Sequence, residues 1–167
     1  VSALDTWNRM PESEALAPVL ACCGSQAFAR ALAQARPFAD IDALAAAADR
    51  IWWSLGEGDW LEAFACHPRI GESRAHASGQ FSAWSTQEQS QVRAAQDTLL
   101  DAIARKNREY EQRHGFIYIV CASGRPAEEL LAILDRRLAN PTDMEIKEAA
   151  EQQRQITQLR LRKWLAP

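Results

Sequence analysis

An all-α fold, a single-domain bundle of about seven to nine helices with one extended or irregular apolar segment at 116–124, is what this sequence predicts. Three observations point to it. Alanine and leucine dominate the chain, while glycine and proline are sparse, at seven each in 167 residues. The apolar residues recur mainly three or four positions apart, the period of a helix with one buried face. Strand-like runs are few, and residues 1–167 show neither an internal repeat nor a low-complexity linker, so one domain is expected.

The first predicted helix runs from Glu12 to Cys23 and the second from Ser25 to Ala35, with Pro37 following as a stop. The third spans Ile41 to Leu55. Its alanine patch, Ala43 to Ala48, predicts a close-packed interface, since small side chains let helices approach. Gly56 and Gly58 separate it from a fourth helix over Asp59 to Cys66. That helix must end at His67, because Pro68 disfavours helical dihedrals in the residue before it. A long helix follows from Thr86 to Gly115, then Pro126 to Ala139 and Pro141 to Trp164, the last two broken at Asn140-Pro141-Thr142. The run Phe116-Ile117-Tyr118-Ile119-Val120-Cys121 is the exception, β-branched and aromatic and closed by Ala122-Ser123-Gly124. A lone strand has no partner for its backbone, so the run is expected to thread the core as an extended or irregular segment whose free amides could face a ligand. Core filling is the competing account.

Nineteen Lys and Arg against 22 Asp and Glu give a formal charge of -3, which argues against nucleic acid or an anionic membrane as the main partner. A small-molecule ligand is expected. No stretch is apolar for long enough to span a bilayer, and Asp5, Glu12 and Glu14 stand where a signal sequence would be basic and then greasy. A soluble, intracellular protein is therefore expected, and a C-terminus of Trp164-Leu165-Ala166-Pro167, which is no peroxisomal address, favours a cytoplasmic location, with the native start left open because the chain begins at Val1. Cys22, Cys23, Cys66 and Cys121 lack the paired spacing of a zinc ribbon or redox motif, so free thiols and no metal are expected. A metal-dependent hydrolase built on Cys66 and His67 is the alternative, and bound zinc would reveal it.

Three places carry polar groups suited to chemistry. His67 stands at a helix C-terminus, where the dipole favours the imidazolium form and hence proton donation. Ser85 followed by Glu88 is a capping box, and capping alone explains both residues. The same helix start could also bind an anion, with Gln89 adding an amide that matches a urea-like group. Arg160 shares a helix face with Ile156, four positions earlier, so its stem can cross apolar surface to reach a partner or a carboxylate. An ordinary surface arginine accounts for it equally well. His76 and His114 stand among polar neighbours and are assigned no role.

Taken together, separated segments of the chain resemble one family, the 2-oxo-4-hydroxy-4-carboxy-5-ureidoimidazoline (OHCU) decarboxylases of urate breakdown. The segments are Cys23-Gly24-Ser25, Arg36-Pro37-Phe38, Ala63-Phe64, His67-Pro68-Arg69-Ile70-Gly71, Trp84-Ser85, Glu88-Gln89, Phe116 to Gly124, and Ile156 through Leu161, in the family's order. The resemblance implies an all-helical enzyme, a homodimer, with no metal or organic cofactor, that converts OHCU to (S)-allantoin and carbon dioxide. It implies His67, Glu88 and Arg160 as catalytic residues. Pro68, Ser85, Thr86, Gln87, Glu88 and Gln89 would bind substrate, together with Ile119, Val120, Cys121, Ala122 and Ser123. Thr86 and Gln87 enter only as neighbours within their motif. A non-enzymatic helical module, with His67, Glu88 and Arg160 reduced to caps and surface packing, is the competing reading.

Overall fold

The computed structural model describes residues 1–70 and 86–167, with side chains of 86–94 outside the description. Among the described residues there are eight helices and no strand. They are α1 (Ala3–Arg9), α2 (Glu12–Cys22), α3 (Gln26–Gln34), α4 (Ile41–Ser54), α5 (Glu57–Ala65), α6 (Thr86–His114), α7 (Ala127–Leu138) and α8 (Thr142–Leu165). Seven agree with the predicted helices to within about two residues, the usual scatter at helix ends. The eighth, α1, was not predicted. Ser2 and Asp5 form a capping box there, each side chain accepting from the other's backbone N–H.

The chain divides into two compact units, Val1–Cys66 with Ile146–Pro167, and His67–Glu145. In the first, Trp7 is fully buried, its indole N–H donates to the Ala15 carbonyl at 2.9 Å, and its ring meets Trp164 edge-on at 5.5 Å. Arg36 closes the end of α1 by donating from Nη1 to the Met10 carbonyl at 2.9 Å and to that of Trp7. The Trp7 carbonyl also accepts the C-cap N–H of Met10 at 3.2 Å, so the guanidinium reinforces the end of the helix there and supplies a donor to the Met10 carbonyl just beyond it. Phe38 stacks on Trp7 at 6.3 Å, which assigns structural work to two residues of the Arg36-Pro37-Phe38 segment. In the alanine patch of α4, Ala45, Ala47 and Ala48 are buried, as expected of an interface, while Ala43 and Ala46 are exposed. α4 lies against α3, and it meets α8 through longer side chains: Gln158 Nε2 donates to the Ala45 carbonyl at 2.9 Å and the Trp52 indole donates to that of Ala150 at 2.9 Å.

The second unit is built on α6, α7 and the segment between them. Ile103, Tyr110, Tyr118, Val120, Leu130 and Leu134 form its core, with Ile70 and Phe116 packed alongside. Gly115 ends α6 at φ 81°, where a side chain would be strained, and its N–H donates to the Glu111 carbonyl at 2.8 Å. The apolar run then passes through the core without strand pairing, and Tyr118, Ile119, Val120 and Cys121 are buried.

Candidate active site

α5 begins at Glu57 because Gly56, in extended conformation, serves as its N-cap, and Glu57 and Asp59 place acidic charge in the first turn. Its C-cap is Cys66, whose N–H bonds back to the Ala63 and Phe64 carbonyls. His67 therefore follows the helix directly and is partly buried, while Pro68 and Arg69 are exposed. The placement predicted from Pro68 holds.

Two side chains on α6 hold the segment that leads away from His67. Arg69 Nε faces both carboxylate oxygens of Glu111, at 3.0 and 3.1 Å, and its Nη2 lies 2.9 Å from Oε1, a fork that fixes direction as well as distance. Asn107 Nδ2 donates to the Ile70 carbonyl at 2.5 Å, and Ile70 packs against the core of the second unit. The imidazole is thus carried on a tether fixed at its far end. Rigid backbone around a proton-transferring group reduces the misplacement that erodes catalysis.

Cys66 approaches the loop before α3 so closely that Gly24 has no room for a side chain: a Cβ there would lie 2.4 Å from Cys66 Sγ and 2.7 Å from Cys66 Cβ. Beside it, Ser25 caps α3 by accepting from Phe28 N–H at 3.2 Å, and Glu62 on α5 accepts from Gln26 N–H at 2.7 Å. The Cys23-Gly24-Ser25 segment thereby locks the end of α5 from which His67 extends.

The 119–123 segment owes its path to a buried ion pair. Arg137 and Glu145 are both fully buried and lie 2.9 Å apart. Arg137 Nη1 donates to the Ile119 carbonyl, and Nη2 lies 3.3 Å from the Tyr110 hydroxyl. Tyr110 O–H and Asn140 Nδ2 both donate to Glu145. Burial alone would raise the Glu145 carboxyl, but hydrogen bonds from Arg137, Tyr110 and Asn140 outweigh it and hold the group below its ordinary value. Burial, with the neighbouring carboxylate adding, pushes the Tyr118 phenol up to about 12 even against the pull of Arg137, so this tyrosine stays neutral. Among the described residues of this network, Arg137 and Glu145 carry the charge.

Arg160 belongs to the first unit and is exposed, with Nη1 3.4 Å from the Cys22 carbonyl. Its neighbour Leu161 is fully buried, whereas Leu159 is half-exposed. Ala122 and Ser123 are exposed at the end of the apolar run. Ser85 lies outside the described residues, as do the side chains of Thr86, Gln87, Glu88 and Gln89, whose backbone opens α6. His76 lies outside as well. His114 departs from its predicted polar setting: it is buried against Tyr110 at 4.6 Å, with Nδ1 2.8 Å from Thr142 Oγ1. Aromatic packing at the end of α6, invisible in the flanking Arg113 and Gly115, explains the difference.

All four cysteines are free thiols, and the described residues contain no group of three or more His, Cys, Asp or Glu placed to hold a metal. Among those residues no helix is long and apolar enough to cross a membrane.

Sequence reasoning passed over Arg137, Glu145 and Tyr110. A signal existed in the break at Asn140-Pro141-Thr142. It turns the chain between α7 and α8, which lets the last turn of one helix meet the first turn of the next.

Comparison with known proteins supplies the family. The family model described as OHCU decarboxylase matches residues 8–162. The uric acid degradation bifunctional protein TTL of Arabidopsis thaliana is 38% identical over 145 residues, covering 85% of this chain but 44% of that protein. This chain thus spans less than half the length of that relative. The 2-oxo-4-hydroxy-4-carboxy-5-ureidoimidazoline decarboxylase of Amia calva is 37% identical over 138 residues, covering 80% of this chain and 77% of that one. Among solved structures, an OHCU decarboxylase crystallised in the presence of (S)-allantoin matches with a TM-score of 0.73 at 34% identity, covering 89% of this chain and 96% of that chain. Since the match extends from the first helix into the last and includes the His67 segment, the chain belongs to the OHCU decarboxylase family.

Proposed function

We propose that this chain converts OHCU to (S)-allantoin and carbon dioxide in urate degradation, with His67 as the proton donor. The observation that carries the reading is the placement of His67 directly after α5, on a segment fixed by Arg69 to Glu111 and by Asn107 to Ile70, in a chain that matches the family over residues 8–162.

The chemistry suits a protein that supplies position and protons. Breaking the carbon–carboxylate bond releases carbon dioxide and leaves an electron pair, which the adjacent imine of the substrate accepts. The resulting enol-like intermediate takes one proton on carbon, and the face that receives it sets the configuration of allantoin. The enzyme must hold the carboxylate away from bulk water, stabilise the developing charge and offer the proton from one side. In this reading His67 delivers that proton. Glu88 orients His67 or maintains its charge, and Arg160 pairs with a substrate oxygen. Pro68 fixes the turn against the ligand, while Ser85, Glu88 and Gln89, with Thr86 and Gln87 beside them, bind the hydroxyl and ureido groups. Backbone groups from Ile119 to Ser123 hold the ring. A homodimer in the cytoplasm completes the reading, and sedimentation equilibrium tests the assembly.

The direct test supplies OHCU freshly made from urate and follows the appearance of optically active allantoin by circular dichroism. Racemic product at the spontaneous rate refutes the activity. His67→Asn keeps the approximate size but removes the titratable group, and should lower turnover by about a hundredfold or more. Near-full activity in that variant would remove His67 from the mechanism.

A further inference from the structure

We propose that Arg137 is a positioning residue for substrate binding: its grip on the Ile119 carbonyl sets the peptide planes that the 119–123 segment offers to the ring. The inference rests on the function proposed above and extends it to a residue that no part of the sequence comparison singled out.

The argument starts from the backbone. The segment crosses the core without strand or helix, so its carbonyl and N–H groups are not paired in a regular ladder. Arg137 Nη1 takes the Ile119 carbonyl and directs it toward the buried ion pair. In a trans peptide the carbonyl and the next N–H point in opposite directions, so fixing the one fixes the other. The Val120 N–H is thereby aimed away from the Arg137–Glu145 pair. Among the described residues it has no hydrogen-bond partner, although Val120 is buried. An unpaired buried N–H is costly to leave unmade, and a ligand carbonyl removes that cost.

The guanidinium is itself immobilised. Glu145 holds Nε and Nη2, Tyr110 lies against Nη2, and the planar group packs over the Tyr118 ring at 5.0 Å and the Tyr110 ring at 5.8 Å. A lysine could not reproduce this, since a single ammonium cannot serve Glu145 and the Ile119 carbonyl with the same fork geometry.

The test compares the full-length wild-type chain with Arg137→Lys, with the double variant Arg137→Met/Glu145→Leu, and with Leu134→Ala. The double variant removes the charges together, which buried pairs tolerate far better than loss of one partner. Leu134→Ala loosens the core that Leu134 shares with Tyr118 and Val120 but leaves the Arg137 donor to the Ile119 carbonyl in place. KM for OHCU and the inhibition constant of (S)-allantoin should each rise about tenfold or more in both Arg137 variants, while kcat changes much less. Leu134→Ala should leave both constants near wild type despite its lower stability. In wild-type protein, (S)-allantoin should also shift the Val120 amide resonance, a readout that needs no variant. The inference is overturned by unchanged constants in either cooperatively melting Arg137 variant, by an equal rise in Leu134→Ala, or by a Val120 amide indifferent to (S)-allantoin. A wild-type chain that fails to turn over OHCU overturns the proposed function and this inference with it, whereas an active wild type with indifferent variants overturns the inference alone.

Discussion

Replacing Gly24 by alanine perturbs one well-defined contact, the closest approach between the loop before α3 and the end of α5. The added Cβ would meet Cys66 Sγ at 2.4 Å and Cys66 Cβ at 2.7 Å. Rotating the Cys66 side chain can move Sγ, at the loss of its contacts to the Gly24 carbonyl at 3.7 Å and the Glu62 carbonyl at 3.5 Å. It cannot move Cβ, so the backbone of the C-cap must shift. Overpacking of this kind costs about 1–3 kcal/mol, against which a Gly to Ala change recovers about 0.4–1 kcal/mol by restricting the unfolded chain. Midrange values leave a net loss of about 1.3 kcal/mol, a fall in Tm of roughly 3–5 °C for a chain of this size. His67 follows Cys66 in the chain, so decarboxylation should fall by about tenfold as the imidazole is displaced. Thermal melts by circular dichroism and the chiral allantoin assay measure the two effects. Adding Cys66→Ala should recover only part of the loss, because Cβ remains, whereas Cys66→Gly should relieve the clash. A Gly24→Ala protein that melts at or above wild type would falsify the steric argument.

Glu145→Gln leaves Arg137 charged and buried without its counter-ion and should cost about 3–5 kcal/mol, read by urea unfolding. Because the Glu145 carboxyl titrates below its ordinary value, its contribution is complete above the ordinary carboxylate range and disappears as pH falls through the lowered value. Acid unfolding of the wild type should therefore be steeper below about pH 4.3 than that of the variant, and equal slopes would contradict the assignment. Ser25→Ala removes the α3 cap, and should lower stability by about 1 kcal/mol, with no loss expected only if water replaces the hydroxyl. For the thiols, burial pushes Cys22 up and Cys23 to about 11, Cys121 is buried, and Cys66 is exposed. A thiol reagent at neutral pH should accordingly label one cysteine rapidly in native protein and four in denaturant; rapid labelling of a second would refute the burial pattern.

The helices were legible because local rules and tertiary needs agree along most of the chain. Pro37, the Gly56 and Gly58 pair, Pro68 and the Asn140-Pro141 break each act within a few residues, so their effect can be read without knowing the fold. The same holds for His67, whose position depends on Pro68 alone. α1 was missed although Ser2 and Asp5 carry a capping signature, because seven residues are too few to display a helical period. His114 and Arg137 were illegible for a different reason. Each is a polar side chain on a helix whose pattern places it at the surface, and only the closure of α6, α7 and the apolar run around them makes that place interior.

That closure bears on why an ion pair occupies the site at all. A buried Arg–Glu pair seldom adds stability over well-packed apolar side chains of the same volume, because desolvation of two charges consumes the Coulombic gain. Here the guanidinium does something no apolar side chain can: it binds a backbone carbonyl in a segment that has neither helix nor sheet to receive it. Removing the pair would leave the Ile119 carbonyl buried without a donor, a loss comparable to a full hydrogen bond. The segment in turn needs to stay irregular if its amides are to be open to a ligand, since pairing them in a sheet would satisfy and hide them. An irregular strand of backbone through a core therefore requires a donor from elsewhere, and Arg137, held by Glu145 and Tyr110, is that donor.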